Sequence, residues 1–372
     1  MGDVKKVAIL GSTGSVGVQA LDVVRSFPDR IDVTALAAGS NAALLAEQIS
    51  EFNPKYASIT SGDLPSGPEH LPIDEIAAHP DVDLVVVATS GKAGLSPTLA
   101  AIREGKNVAL ANKEVLVMAG QIVMAEARKR GVQIYPVDSE HSAIWQCLAG
   151  ESGKSVSQII LTASGGPFRH LSTDQLEKVT AEDALKHPTW SMGKKVTIDS
   201  ATLMNKGMEV IEARWLFDVP VGRIMVAVHP ESIIHSMVEF SDGSVKAQLG
   251  MPDMRLPIQY ALTYPDRWPN QSLPRIDFDQ LKSLNFARPD LARFPCLRLA
   301  IEAIAEGGTY PAVLSAADEI AVSLFLDGRI GFMDIPRLVE KTLGGHRSVS
   351  DPGLEQVLTA DGWAREYIMS MV

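Results

Sequence analysis

The chain has 372 residues, 46% hydrophobic and 21% charged, which is enough for two or three globular domains and unlike the composition of a disordered protein. Its formal net charge of -11, without a dense basic cluster, argues against binding to nucleic acid or to an anionic membrane surface. Cys147 and Cys296 form no metal-binding motif, and no apolar run is long enough for a bilayer span or a signal peptide, so we expect a cytoplasmic protein.

The first third of the chain alternates short β-branched runs with helical patterns. This alternation is typical of a parallel sheet that is covered by helices on both faces. We predict strands at residues 7–10, 31–37, 55–59, 84–88, 107–110 and 132–137, and a helix at 115–130. The N-terminal region is therefore expected to be an α/β, Rossmann-like domain.

The alternation ends after residue 140. Strands are predicted at 157–162, 224–228, 234–240 and 245–249, and helices at 173–186 and 201–217, the second with Ser200 as a candidate N-cap. These elements indicate a central α+β domain with antiparallel strands, followed by a Pro-rich linker and a helical bundle. The predicted divisions are 1–138, 139–263, 264–289 and 290–372.

A glycine-rich segment directly follows the first predicted strand and opens a helix. Glycines there let the backbone approach a pyrophosphate, while the helix N-terminus offers N–H groups and a positive dipole end. We expect a dinucleotide site, the alternative being a glycine-rich turn without a ligand. The segment consists of Gly11, Ser12, Thr13, Gly14, Ser15, Val16 and Gly17.

The end of the second predicted strand bears on the choice between NAD and NADP. An NAD site usually has Asp or Glu here, whereas this chain has Gly39, Ser40 and Asn41. Without a carboxylate nothing repels a 2′-phosphate, and Ser40 and Asn41 can donate hydrogen bonds to it. The segment favours NADP.

Asn112, Lys113 and Glu114 follow the fifth predicted strand, at the edge where open parallel sheets bind ligands. A lysine there can hold an anionic or polarised oxygen beside the nicotinamide. A surface lysine at a helix start is the alternative, and these residues alone do not separate the two.

The sixth predicted strand ends before Asp138, Ser139 and Glu140. Residues two apart in an extended chain face the same side, so both carboxylates can converge on Mg²⁺ or Mn²⁺. The alternative is a helix N-cap with an acidic first turn, and a third ligand is needed to decide.

Such a ligand is available in the predicted helix after Ser200. Asn205 and Glu209 are four residues apart on one helical face, and Lys206 is adjacent. This pattern predicts a phosphate site beside a metal ligand. A capped, solvent-exposed amphipathic helix is the alternative.

Two loops fit the same interpretation. Ser164, in a Gly-Gly turn after a strand, offers a hydroxyl and backbone N–H groups to an anion, although this signal alone is not specific. Trp190 and Met192 lie between Pro188 and Gly193, just after His187, and this loop indicates a lid over the substrate, with a buried tryptophan anchor as the alternative.

Eight segments together resemble the 1-deoxy-D-xylulose 5-phosphate reductoisomerase family. In chain order they are GSTGSVG, ANKE, VDSEHSA, TASGGPF, HPTWSMGKK, DSATLMNKGME, DGSVKAQLGMPDMR and FPCLRLA. The resemblance implies an NADPH- and divalent-metal-dependent rearrangement and reduction of 1-deoxy-D-xylulose 5-phosphate to 2-C-methyl-D-erythritol 4-phosphate, on the methylerythritol phosphate route to isoprenoids. It also implies a homodimer that pairs through the strands between 224 and 249.

The resemblance further implies roles for individual residues, each within a matching motif. The implied catalytic residues are Lys113, Asp138, Glu140, Glu209 and His187, of which Asp138, Glu140 and Glu209 hold Mn²⁺ or Mg²⁺. The implied substrate-binding residues are Ser139, Ser164, His187, Trp190, Ser200, Asn205 and Lys206. The residues implied to bind NADPH are Gly11, Ser12, Thr13, Gly14, Ser15, Val16, Gly17, Gly39, Ser40, Asn41, Asn112, Lys113, Glu114, Gly193 and Met254.

The sequence departs from the family pattern at two positions. Ser40 stands where the family often has a basic residue, which leaves the strength of the NADPH preference open, and Glu231 replaces the usual Gln after His229 and Pro230. The choice between Mg²⁺ and Mn²⁺ is also open. Two alternative functions are another metal-assisted NADP-linked oxidoreductase acting on a phosphorylated sugar and a non-catalytic dinucleotide sensor.

Overall fold

The structure is a computed structural model that describes residues 4–63, 66–186 and 192–372. Two compact units divide the chain. The first comprises Met1–Val115, Gln121–Ser142 and Asp253–Arg275, and the second comprises Leu116–Gly120, Ala143–Pro252 and Ile276–Val372. Each unit therefore contains segments that are distant in sequence.

The first unit is built on a parallel sheet with the strand order β4-β3-β2-β1-β5-β6-β7 among the described residues. The chain leaves β1 toward β2 on one side and returns to β5 on the other, so the strand order reverses beside β1, where such sheets bind ligands. The N-terminal elements are β1 Lys5–Leu10, α1 Ser15–Arg25, β2 Ile31–Ala38, α2 Ala42–Phe52, β3 Tyr56–Ile59, β4 Glu69–His70, α3 Ile73–Ala78, β5 Leu84–Val87, α4 Leu95–Arg103, β6 Asn107–Leu110, α5 Lys113–Arg130, β7 Ile134–Pro136 and α6 Ser139–Leu148.

The predicted Rossmann-like sheet is confirmed, and its central strands show why the pattern was readable. All four residues of β5 are buried, as are the last four of β1, because helices cover both faces of the sheet. The short strand β4 was not predicted, since it has two residues and both are exposed. A later helix, α11 (Arg255–Thr263), contributes Ile258 and Leu262 to the core of this unit.

The second unit contains a mixed sheet with the order β11-β10-β8-β9. Strand β10 is antiparallel to β8 and β11, but β9 runs parallel to β8, so the prediction of antiparallel strands is wrong for this pair. The helices between β8 and β9 form a crossover long enough to return the chain in the same direction. The remaining elements are β8 Val156–Ala163, α7 Thr173–Leu176, α8 Ala181–Ala184, α9 Lys194–Thr202, α10 Met204–Leu216, β9 Ile224–Val228, β10 Ile234–Phe240, β11 Val245–Leu249, α12 Pro295–Glu306, α13 Tyr310–Leu326, α14 Asp334–Gly345 and α15 Leu354–Met369.

Two predicted helices are interrupted in the structure. The segment predicted as one helix at 173–186 forms α7 and α8, each with its own capping box, at Ser172 and Thr180. The helix predicted at 201–217 starts only at Met204, because Leu203 is left-handed (φ 61°) and the Thr202 hydroxyl accepts a hydrogen bond from the Met204 N–H. Ser200 therefore lies in the last turn of α9 and is not an N-cap.

The core of the second unit joins its sheet to the C-terminal helices. Met204 and Met208 of α10, Leu297 of α12 and Leu314 of α13 are fully buried in one hydrophobic cluster. The helical C-terminal region predicted from the sequence is thus present, and it packs directly on the helix pair α9–α10. In the part of the chain that the structure describes, no helix combines the length and apolar character of a membrane span.

Candidate functional site

The glycine-rich turn after β1 requires its glycines for steric reasons. Gly11 has φ 89°, and a Cβ built there would lie 2.4 Å from the carbonyl oxygen of Ala88. A Cβ on Gly17 would lie 2.2 Å from the carbonyl oxygen of Gly11. Because the backbone is packed this closely, the turn brings the N-terminus of α1 to the strand end, where a pyrophosphate can be bound.

The other residues of this turn differ in exposure. Ser12 is buried, and its backbone accepts a hydrogen bond from Gln48 and donates one to Ala37. The N-cap of α1 is Gly14, which is exposed together with Ser15, whereas Thr13 and Val16 are half-buried. The exposed helix start can bind an anionic ligand, and the backbone hydrogen bonds of Ser12 fix the conformation of the turn.

Gly39, Ser40 and Asn41 are exposed at the carboxyl end of β2. The Gly39 carbonyl accepts hydrogen bonds from the N–H groups of Thr60 and Ser61, at 3.0 and 2.9 Å. Asn41 caps α2, since its side-chain oxygen accepts from the Leu44 N–H at 3.1 Å. The segment is fixed by these bonds, so the Ser40 hydroxyl and the Asn41 amide are held at the ligand-binding edge of the sheet.

Asn112 connects the segment after β5 with the start of α5. Its side-chain oxygen accepts from the Val115 N–H at 3.2 Å, and its amide donates to the Gly91 carbonyl at 2.8 Å. The side chain is buried, whereas Glu114 is half-buried. Asn112 therefore sets the position from which the neighbouring Lys113 extends.

Lys113 is not an exposed surface lysine. Its ammonium lies 2.6 Å from Asp138 Oδ2, and the two side chains are only 12% and 13% exposed. Asp138 follows β7, and its carbonyl accepts the Ser142 N–H, so it stands at the start of α6. The Ser139 hydroxyl donates to Glu140 Oε2 at 2.5 Å. The ends of β6 and β7 thus bring the Lys113 ammonium to the Asp138 carboxylate, and Glu140 lies in the first turn of α6.

The second unit carries a matching set on α10. Glu209 is fully buried, and its carboxylate accepts hydrogen bonds from Asn205 Nδ2 at 2.6 Å and from the Lys206 ammonium. Lys206 is itself 4% exposed. The alternative of a solvent-exposed amphipathic helix is therefore wrong for these residues.

The loop containing Ser164 lies against the last turn of α9. The Ser164 hydroxyl accepts a hydrogen bond from the Gly166 N–H at 3.3 Å, and a Cβ on Gly166 would lie 2.6 Å from the Ser200 carbonyl oxygen. The structure thereby brings the loop of Ser164 and the helix of Ser200 together. Their hydroxyls, the Asn205 amide and the Lys206 ammonium are the donor types that bind phosphate.

The remaining predicted residues are distributed as follows. His187 and Trp190 lie outside the described residues. Gly193 is the exposed N-cap of α9, and Met192 is half-buried. Met254, the N-cap of α11, is half-buried and packs against the core of the first unit, as does Val16 of the glycine-rich turn.

The carboxylates suit a divalent ion by their chemistry. Hard oxygen ligands are those that Mg²⁺ and Mn²⁺ prefer. A buried carboxylate is costly unless a positive charge compensates it, and Asp138 and Glu209 each contact a lysine ammonium. The donor set of carboxylate oxygens therefore fits a divalent ion, and in this structure the ammonium groups of Lys113 and Lys206 balance the charge of Asp138 and Glu209.

Glu231, for which the sequence offered no account, holds the segment before α12. Its carboxylate accepts hydrogen bonds from the Asn285 side chain at 2.5 Å and the Asn285 backbone at 3.2 Å, and it lies 3.1 Å from His229 Nδ1. Partial burial acts to raise the pKa of this carboxyl, but the bonds from Asn285 and the nearby imidazole hold it below its usual range. Glu231 is a docking residue for this segment, next to the bridge between Val228 and Ala287.

The sequence analysis missed one half-buried lysine that is paired with buried carboxylates. Lys195 on α9 is bound to Asp199 and to Asp318 of α13, and its only sequence signal is the i,i+4 spacing to Asp199. The partner on α13 is more than one hundred residues away. No local pattern indicates such a contact.

Family comparisons cover most of the chain in three segments. Residues 7–120 match 1-deoxy-D-xylulose 5-phosphate reductoisomerase, residues 134–217 match its C-terminal domain, and residues 249–367 match a DXP reductoisomerase C-terminal domain. Among curated proteins, 1-deoxy-D-xylulose 5-phosphate reductoisomerase of Pelotomaculum thermopropionicum is 54% identical over 97% of both chains. That of Heliobacterium modesticaldum is 53% identical over 99% of this chain and 98% of its own.

Solved structures agree with these sequence matches. The Zymomonas mobilis enzyme in complex with NADPH is 44% identical, with a TM-score of 0.91 over 99% of both chains. A DOX-P reductoisomerase in complex with NADPH, fosmidomycin and magnesium is 40% identical, with a TM-score of 0.91 over 99% of this chain and 98% of its own. The chain belongs to the 1-deoxy-D-xylulose 5-phosphate reductoisomerase family.

Proposed function

We propose that this chain catalyses the NADPH- and divalent-metal-dependent conversion of 1-deoxy-D-xylulose 5-phosphate to 2-C-methyl-D-erythritol 4-phosphate, in isoprenoid precursor biosynthesis. The observation that carries the proposal is the full-length likeness to a relative whose structure contains NADPH, fosmidomycin and magnesium. The chain also holds the donor sets that a sugar phosphate, a metal ion and a dinucleotide require.

The first unit would bind NADPH. The turn from Gly11 to Gly17 offers its backbone N–H groups to the pyrophosphate, and Gly39, Ser40 and Asn41 receive the 2′-phosphate end. Asn112, Lys113 and Glu114 lie at the carboxyl edge of β6, toward the nicotinamide end, with Gly193 and Met254 as further contacts. Hydride transfer is the chemistry that the cofactor brings.

Asp138, Glu140 and Glu209 would hold the divalent ion. Such an ion supplies Lewis-acid chemistry, because it lowers the free energy of negative charge that develops on substrate oxygens. The Lys113 ammonium, already 2.6 Å from Asp138, would hold substrate hydroxyls, and Ser139 would contact the substrate. Either Mg²⁺ or Mn²⁺ suits these oxygen ligands.

The substrate phosphate would bind to Ser164, Ser200, Asn205 and Lys206. Lys206 is a buried ammonium, so a phosphate oxygen that reaches it would accept a charge-assisted hydrogen bond that water screens little, while the metal ion would balance the charge of Glu209. His187 and Trp190 would close over the substrate from the lid segment. Phosphate binding supplies the free energy for closure, and water is excluded while the aldehyde is reduced.

We also propose a cytoplasmic homodimer. Strand β11 is at one edge of the mixed sheet, with Val245 half exposed, and a second copy can pair with such an edge. Cys147 and Cys296 are buried thiols, and burial raises the pKa of the Cys147 thiol to about 11, which keeps it unreactive. Light scattering of the purified protein tests the dimer, and a monomer mass would reject it.

The proposed reaction is tested by following NADPH absorbance with 1-deoxy-D-xylulose 5-phosphate and Mn²⁺ or Mg²⁺. We expect oxidation that a chelator stops and the metal restores, with methylerythritol phosphate as the product. Other five-carbon sugar phosphates serve as controls for the alternative of a different NADP-linked oxidoreductase. Absence of metal-dependent NADPH oxidation would reject the function.

A further inference from the structure

A single half-buried ammonium, 25% exposed, contacts three helices of the second unit. Lys195, on the first turn of α9, lies 2.6 Å from Asp199 Oδ2 on the same helix and 2.9 Å from Asp318 Oδ2 on α13. It also contacts Met208 Sδ on α10 at 3.8 Å. Asp199 and Asp318 are 2% and 0% exposed. Helix α13 of the C-terminal region is therefore linked to α9 by charge, and Lys195 also contacts α10 through the Met208 sulfur.

Each partner of this ammonium on α9 and α10 is adjacent to a proposed site residue. Asp199 directly precedes Ser200, and Met208 directly precedes Glu209. Ser200 is a proposed phosphate ligand, and Glu209 is a proposed metal ligand. A displacement of the Lys195 contacts would move the backbone that carries both groups.

The charge arrangement makes the position of the ammonium well defined. Two buried carboxylates share it, so removal of the ammonium would leave like charges close together in a medium of low dielectric constant. Removal of Asp318 takes away the contact with α13 and leaves Lys195 with Asp199 on its own helix. Buried ion pairs of this kind add little net stability compared with apolar packing, but they restrict how the joined helices can lie.

We infer that Lys195 and Asp318 are positioning residues that hold α9 and α10 so that Ser200 and Glu209 meet the substrate phosphate and the metal ion. Helix α13 thereby contributes to substrate affinity without touching the substrate. The inference rests on the proposed function, because the roles of Ser200 and Glu209 are taken from it.

The test compares Asp318→Ala, Asp318→Asn and the control Asp361→Asn in the full chain. Asp361 on α15 is similarly buried and binds Arg365 at 3.0 Å, which in turn binds Glu319, so the control removes a buried charge from an ion pair outside α9. For each variant, kcat and KM for 1-deoxy-D-xylulose 5-phosphate, Kd for NADPH and Tm are measured.

For Asp318→Ala we expect KM for the sugar phosphate to rise roughly tenfold or more, because small displacements of binding groups are costly. Asp318→Asn keeps an oxygen that accepts a hydrogen bond from Lys195, so its KM should rise only ~3-fold. The NADPH Kd should change less than the KM for the sugar phosphate in both, because all of the proposed NADPH-binding residues except Gly193 lie in the first unit. Asp361→Asn should lower Tm and leave KM within ~2-fold of the unaltered chain.

A Tm loss in Asp318→Ala with unchanged KM would overturn the inference, because the network would then be structural only. If Asp318→Ala does not fold, Asp318→Asn decides, and a KM equal to that of Asp361→Asn overturns the inference. Failure of the proposed function is distinguishable, since the unaltered chain would then show no metal-dependent turnover. Ser200→Ala completes the comparison. If it raises KM for the sugar phosphate while the Asp318 variants do not, the positioning role of Lys195 and Asp318 is rejected and the phosphate-binding role of Ser200 is not.

Discussion

The two lysine–carboxylate pairs of the candidate site differ in their surroundings. Lys113 begins α5 and Asp138 follows β7, and their side chains are 12% and 13% exposed. Lys206 and Glu209 lie on a helix inside the core of the second unit, with side chains 5% and 1% exposed. Replacement of one member should therefore lower the unfolding free energy less in the pair Lys113–Asp138 than in the pair Lys206–Glu209.

Glu209→Gln should show the largest effect. It removes a charged metal ligand and leaves the buried Lys206 ammonium without its carboxylate, so we expect loss of measurable turnover and a loss of about 3 kcal/mol in unfolding free energy. Steady-state kinetics and urea unfolding measure the two. If Glu209→Gln has the same unfolding free energy as the unaltered chain, burial does not make the Lys206–Glu209 pair more important for stability than the Lys113–Asp138 pair.

Asp138→Asn should separate activity from stability. Turnover should again be lost, since a metal ligand is removed, but the unfolding free energy should fall by about 1–2 kcal/mol, less than in Glu209→Gln, because this pair keeps more contact with water than the second. The same two measurements apply. A stability loss as large as that of Glu209→Gln would contradict the comparison.

Gly17→Ala probes the dinucleotide turn. The added Cβ would meet the Gly11 carbonyl oxygen at 2.2 Å, so the turn must move and the NADPH Kd should rise roughly tenfold or more. Fluorescence titration with NADPH measures this, and Gly222→Ala, which adds a Cβ in open space, is the control. Equal NADPH Kd values in both variants would contradict a role of this turn in cofactor binding.

Glu231→Gln should have the smallest effect. Because the pKa of Glu231 is lowered in the folded chain, its contribution to stability is present above its ordinary pKa and is lost as the pH falls through the lowered value. The unaltered chain should therefore lose more unfolding free energy than the variant as the pH falls below the ordinary pKa of a glutamate. Urea unfolding of both proteins above and below this pKa measures the difference. If the unfolding free energies of the two proteins fall in parallel with pH, the role of Asn285 is contradicted.

Much of the first unit could be predicted because local sequence and burial agree there. Strands β1, β2, β5 and β6 consist mostly of buried apolar residues, and parallel topology places their carboxyl ends at one edge. The candidate residues after β1, β2, β6 and β7 follow from this rule. Strand β4 was missed because two exposed residues carry no pattern.

The second unit depends on information that is not local. The direction of β9 is set by the crossover from β8, and the break between α9 and α10 occurs at a leucine in left-handed conformation, a residue type that rarely adopts it. The packing of α11 in the first unit and the contact of Lys195 with Asp318 join distant segments. Periodicity and capping signals cannot indicate such contacts. The sequence therefore indicated the proposed phosphate-binding residues but not the contacts of Lys195 with Asp199 and Asp318.

The claim on which the account depends is that Asp138, Glu140 and Glu209 hold one divalent ion. Titration with Mn²⁺, followed by the electron paramagnetic resonance signal of the free ion, measures this without turnover. We predict one Mn²⁺ bound per chain, with binding weakened at least ~10-fold in both Asp138→Asn and Glu209→Gln. Unchanged Mn²⁺ binding in either variant would contradict the shared site.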